Sequence, residues 1–195
     1  MSPLFGAGLT SPAGIGKATI TGTTGSPTVN NNARPGKTIY QFNGSGTITV
    51  GTSGTAEALI IGGGGAGYQG SGGAGGFVYL DSMLLPAGTS TITVGAGAAT
   101  NPSPSPNNYS LGTSIGYPSS IGTPNSTSGY TALGGGCGGR TAGNNSNEMQ
   151  GYAGGSGGGA TGYYNFQGNG GEPLLGQGYK GGAGYASYGG YGAGG

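Results

Sequence analysis

Side-chain catalysis has little to draw on in this chain. The side chains charged at neutral pH are four acids (Glu57, Asp81, Glu148, Glu172) and five bases (Lys17, Arg34, Lys37, Arg140, Lys180) in 195 residues that include no histidine. Without histidine no Ser–His or Cys–His relay forms. The acids lie far apart in sequence, so general acid–base work requires two of them to meet in the fold. One cysteine, Cys137, permits no intrachain disulfide and, without histidine, no Cys/His metal site. Set between glycines, it reads as a small buried residue. No carboxylate-rich calcium loop is visible. Gly178-Tyr179-Lys180-Gly181 lacks both the spacing of a phosphate-binding loop and the Ser or Thr after its lysine. The chain therefore reads as non-enzymatic, with no cofactor.

One stretch imitates a cofactor site. Ala58-Leu59-Ile60-Ile61-Gly62-Gly63-Gly64-Gly65-Ala66-Gly67 matches a strand followed by G-x-G-x-x-G, and Asp81 lies 19 residues after Gly62. That fingerprint needs a helix to begin inside it, with its N-terminus facing the pyrophosphate. The glycines that continue to Gly76 oppose a helix. A structural tract, backbone packed where side chains normally go, is the expectation. Replacing Gly64 or Gly73 by valine should then abolish folding.

Recognition has more material. Tyr152, Tyr163, Tyr164, Phe166, Tyr179, Tyr185, Tyr188 and Tyr191 sit at or between glycine runs. Two roles suit them: covering glycine layers as scarce core material, or forming with Asn and Ser a surface that gives contact area at low entropic cost. Scattered bases provide no basic stripe, so no nucleic-acid partner is expected. Nor is membrane insertion, because no run of eighteen apolar residues occurs. The N-terminus lacks the pattern of a secretory signal, which points to synthesis inside a cell.

The elements that position these residues are strands. Thr38-Ile39-Tyr40-Gln41-Phe42 and Thr47-Ile48-Thr49-Val50, around Asn43-Gly44-Ser45-Gly46, predict a hairpin. Residues 58–61 read as a buried strand, 77–80 and 90–94 as further strands, and 110–115 and 117–121 as weaker ones. No stretch has a helical period. The spacing predicts an all-β, sandwich-like or barrel-like domain over 37–133. Residues 1–36 read as an irregular extended arm that docks onto other subunits, with a short strand at 18–21. From residue 134 glycine runs alternate with Asn/Tyr-rich connectors. A flexible tail or a bundle of polyglycine-II segments would each produce this composition. The clean separation of runs from connectors favours the bundle.

The blocks Tyr40-Gln41-Phe42, Gly46-Thr47-Ile48-Thr49-Val50, Glu57-Ala58-Leu59-Ile60-Ile61-Gly62-Gly63-Gly64-Gly65, Gly72-Gly73-Ala74-Gly75-Gly76-Phe77-Val78 and Leu85-Pro86-Ala87-Gly88 through Gly97, in that order, resemble the glycine-rich domain of bacteriophage tail-fibre and related virion proteins. The resemblance spans about residues 38–140. The later glycine runs resemble those of tail-fibre-tip adhesins, where polyglycine helices form the body and connecting loops meet the bacterial receptor. It implies a virion protein made in the host cytoplasm, working as a homo-oligomer, with a trimer favoured. Loops 101–109, 140–150 and 161–167 become candidate contacts with a host glycan or outer-membrane protein. Tyr109, Tyr152, Tyr163, Tyr164, Asn165, Phe166 and Tyr179 are the candidate receptor-binding residues. Leu4, Phe5, Leu9 and Ile15 are the candidate docking residues of the arm, through which it would meet other virion proteins. Deleting 1–36 is then expected to abolish incorporation and leave the β domain folded. The alternative implied is a capsid-decorating or tail-assembly protein that binds only other virion subunits.

Overall fold

Alternation of β-branched residues builds the centre of the largest sheet. Strand β4 (Gly46–Thr52) buries Ile48 and Val50 on one face, and β7 (Gly88–Thr93) buries Ser90 and Ile92. With β1 (Thr19–Thr24), β8 (Ser119–Thr123) and β9 (Ser126–Ala132) they form a five-stranded antiparallel sheet in the order β1-β4-β7-β8-β9. This is a computed structural model that describes residues 16–99, 114–123, 126–140, 149–185 and 190–195. The described chain is all-β, with no helical element.

Strands β5 (Gly54–Ile61) and β6 (Phe77–Leu85) pair as a separate two-stranded ribbon, with a bulge between Ala56 and Ala58. The inner face of the ribbon lies on the sheet. Val50, Met83 and Leu85 form the buried cluster, flanked by Ala18, Ile20, Ala56, Ala58, Leu80 and Ile121. The run 58–61 is thus not buried throughout. It alternates, because the sheet covers only one side of the ribbon: Ile60 is buried while Leu59 and Ile61 are more than half exposed.

Two expectations from the sequence are corrected here. Strand β3 (Ile39–Gln41) pairs with β2 (Thr28–Asn30), not with β4. The place beside β4 is taken by β1, which sets Ile20 opposite Val50 over the core. Residues 43–45 therefore connect two sheets instead of turning a hairpin. The segment 16–36 is likewise no irregular arm. It contributes β1 and β2, Lys17 bridges Thr55 of β5, and Arg34 pairs with Glu57. Leu4, Phe5, Leu9 and Ile15 lie outside the described residues.

The glycine runs assemble into one body. From the strand ends at Ile61 and Phe77, residues 62–66 and 70–76 run antiparallel, with Gly62 N–H donating to Gly76 O at 2.9 Å and Gly65 N–H to Gly73 O at 2.9 Å. Residues 134–140 lie against both. Gly70, Gly73 and Gly76 donate to Gly139, Gly136 and Leu133, while Gly135 and Gly138 donate to Gly63 and Ala66. Each partner thus recurs at every third residue, the period of the polyglycine-II helix. Burial follows the same period: Gly73 and Gly76 are buried, and Ser71 and Ala74 are exposed. A Cβ on Gly134 would lie under 3.0 Å from the Gly116 carbonyl, so that inward position admits glycine alone. Ordering each residue costs about 1–2 kcal/mol. Hydrogen bonds between rods, of roughly 0.5–1.5 kcal/mol net each, with close Cα–H···O contacts, offset that cost only when every rod has several neighbours. The boundary expected at residue 134 therefore does not divide the packing, since the tract 62–76 is part of the same bundle as the tail.

Candidate functional site

Rod direction decides which connectors meet. The 62–66 and 70–76 pair begins and ends on the ribbon, so its turn at Tyr68 lies at the end away from the sheets. Residues 134–140 run alongside 62–66 in the same direction and bring Arg140 to that end. Residues 155–161 run parallel to 134–140, with Gly136 donating to Ser156 and Gly139 to Gly159. Residues 168–171 return antiparallel, Gly171 donating to Gly158 and Gly168 to Thr161. Rod 179–184 runs outward again (Gly157 to Tyr179, Ala160 to Gly182), and 190–195 runs back (Gly192 to Ala160, Gly195 to Gly157). The turn at Tyr68, the hairpin after Thr161, and the described residues flanking 100–113, 141–148 and 186–189 therefore all belong to one end of the bundle. Beneath it Met149 is fully buried, its carbonyl accepting from Thr161 N–H at 2.8 Å, and Arg140 is buried beside the rods.

The hairpin at this end is fully described. Strands β10 (Gly162–Tyr163) and β11 (Phe166–Gln167) pair around the tip Tyr164-Asn165. The rings of Tyr163 and Tyr164 meet edge to face, centroids 4.3 Å apart at 84°. Tyr164, Asn165 and Phe166 are exposed. Tyr164 has φ of 50°, a left-handed conformation that a bulky side chain rarely adopts. The base of the hairpin is fixed: Gly162 N–H donates to Gly190 O at 2.9 Å, and Thr161 bridges Tyr191. Tyr164→Gly is expected to raise stability by about 0.5–1 kcal/mol, since about 1–2 kcal/mol of left-handed strain outweighs the added entropy of an unfolded glycine. Thermal unfolding measures it, as a rise of about 1–4 °C.

The candidate residues thus divide. Tyr163, Tyr164, Asn165 and Phe166 share one hairpin at the loop end. Tyr152 does not join them: it lies along the rods, its N–H on Cys137 O and its carbonyl accepting from Gly158 N–H. Tyr179, although 81% exposed, starts its rod near the sheet end, where its carbonyl accepts from Gly157 N–H. Tyr109 lies outside the described residues. Tyr185 and Tyr191, read from sequence only within the glycine-run aromatics, stand exposed against the hairpin base. Gly162 packs on the Tyr185 backbone so closely that a Cβ there would not fit. Among the acids, Glu57 and Asp81 lie on facing stretches of the β5–β6 ribbon, and Glu57 is taken up by ion pairs with Arg34 and Lys37. Glu172 pairs with Lys180. Among the described residues no three potential metal ligands gather. Cys137 is buried in rod 134–140. Comparison with protein-family models, curated proteins and solved structures gives no match to this chain.

Proposed function

We propose that this chain is a non-enzymatic virion structural protein, a tail-fibre or spike component that contacts the host surface through the loop end of its glycine bundle. One observation carries the reading: an aromatic hairpin with a strained tyrosine at its tip, held on the glycine rods at the end where the Tyr68 turn also lies. A hairpin turn needs no tyrosine at a left-handed position; glycine or asparagine serves it better. Strain kept at such a tip points to contact. Tyr and Asn provide a rigid amphipathic surface suited to a sugar or to the loops of a surface protein. Repeated copies on one particle would raise weak single contacts to firm attachment.

The test is binding of purified full-length protein to cells of the host bacterium. Exchanging residues 163–166 for a Gly/Ser sequence should cut cell binding at least about thirtyfold, in line with loss of an aromatic hot spot of 2 kcal/mol or more. A melting temperature no lower than that of the parent would show that the rods are intact. Binding that survives the exchange would sink the adhesive role of this hairpin.

A further inference from the structure

The β5–β6 ribbon has two faces and the core uses one. On the outer face Leu59 pairs with Tyr79 and Ile61 with Phe77, each residue more than half exposed. At the end of this face nearest the glycine rods stands the turn 174–177. Phe77 N–H donates to Gln177 O at 2.8 Å, and the Gln177 side chain accepts from Leu133 N–H and donates to Thr131 O, both at 2.8 Å. That fixed turn holds Leu175 94% exposed. At the other end lie two cations, Arg34 and Lys37, on Glu57, with Asp81 on the facing stretch of β6.

We infer that this face is a two-fold interface between two copies of the chain. Half-exposed large apolar side chains present on the order of 100 Å² each, so the four strand residues offer roughly 400 Å², with Leu175 exposed on the turn beside Phe77. That is about half of the 800 Å² each partner gives a standard stable interface, and within the range of the largest patch a monomer leaves bare. The charged rim, two bases and two acids, is electrically neutral and self-complementary. An acidic or basic partner finds no net charge to meet, whereas a second copy aligned along the strands sets Asp81 of each chain toward Arg34 and Lys37 of the other. Two ribbons packed face to face with nearly aligned strands make an ordinary sandwich, about 10 Å between sheets.

Sedimentation equilibrium on the full chain at micromolar concentration tests this. The expected result is a dimer. Leu59→Glu and Tyr79→Glu, both on the exposed face and so expected to keep the β-sheet circular-dichroism spectrum of the parent, should each weaken it at least about thirtyfold. Asp81→Lys should weaken it about tenfold, more at low salt than at high. A monomeric wild type would overturn the proposal, as would a dimer that tolerates both glutamates. A trimer would overturn the two-fold arrangement. So would a dimer lost on deleting residues 1–15 but kept in both glutamate variants.

Discussion

Gly157→Ala is expected to lower stability by at least about 3 kcal/mol, at or beyond the upper end of ordinary overpacking. Gly157 is buried, and a Cβ there would lie under 3.0 Å from the carbonyl of Gly171. That backbone cannot yield cheaply. Gly171 N–H donates to Gly158 O at 2.8 Å, and Gly171 O accepts from Gly181 N–H at 3.0 Å, so a shift strains a bond to the rod of Gly157 itself and one to rod 179–184. Gly157 itself donates to Tyr179 and accepts from Gly195. Overpacked side chains relax by changing rotamer; here both partners are main chain. The thermal midpoint should fall by about 6 °C or more. Gly64→Ala is the control, with the nearest atom 3.9 Å from its Cβ, and should stay within about 0.5 kcal/mol of the parent. The sequence makes Gly64 and Gly73 equivalent. The structure separates them, because a Cβ on Gly73 would meet the carbonyls of Ser156 and Gly157.

Deleting residues 1–36 is expected to cost up to roughly 3–6 kcal/mol relative to deleting residues 1–15, a ceiling set by about 1.5–3 kcal/mol for each of two apolar residues if fully buried, Ile20 being partly so. Strand β1 covers the core: Ile20 packs against the Val50 cluster, and Val50, 2% exposed, would lose its neighbour. The exposed Arg34–Glu57 pair adds less than about 1 kcal/mol. Against a total stability of about 5–15 kcal/mol, the longer truncation stands near unfolding. Denaturant melts of the two truncated proteins measure the difference, and equal midpoints would refute the structural role of β1. The expectation that the β domain survives loss of 1–36 is thereby revised, and a docking test belongs on the shorter truncation.

Local chemistry was legible wherever a residue's environment lies within its own strand or rod. Alternation in 47–50 and 90–93 marks β4 and β7, and the separation of glycine runs from Asn/Tyr connectors marks the bundle. Pairing was less legible. Asn43-Gly44 has the composition of a hairpin turn, but whether 47–50 pairs with 38–42 or with 19–24 depends on which partner buries more apolar surface, and Ile20 decides it from far upstream. The tract 62–76 gave no sign that its neighbours lie beyond residue 130, because a glycine carries no side chain whose character names its partner. For the candidate site, the 163–166 hairpin was visible as a connector, whereas rod direction was not. That direction removes Tyr152 and Tyr179 from the loop end and adds Tyr185 and Tyr191.

The three-residue repeat of the rods has a consequence for folding. A rod displaced along its axis by one repeat, about 9 Å, finds the same carbonyls and N–H groups it left. The lattice is therefore degenerate in register, and backbone hydrogen bonding alone scarcely distinguishes the native alignment from its neighbours. The few buried non-glycine residues must break that degeneracy. Cys137, Met149, Ala160 and Thr161, each at most 1% exposed, fit only where the lattice leaves room for them. They act as detents on otherwise smooth rods: a slip that carried Cys137 into the place of Gly134 would set its Cβ against the Gly116 carbonyl, where none fits.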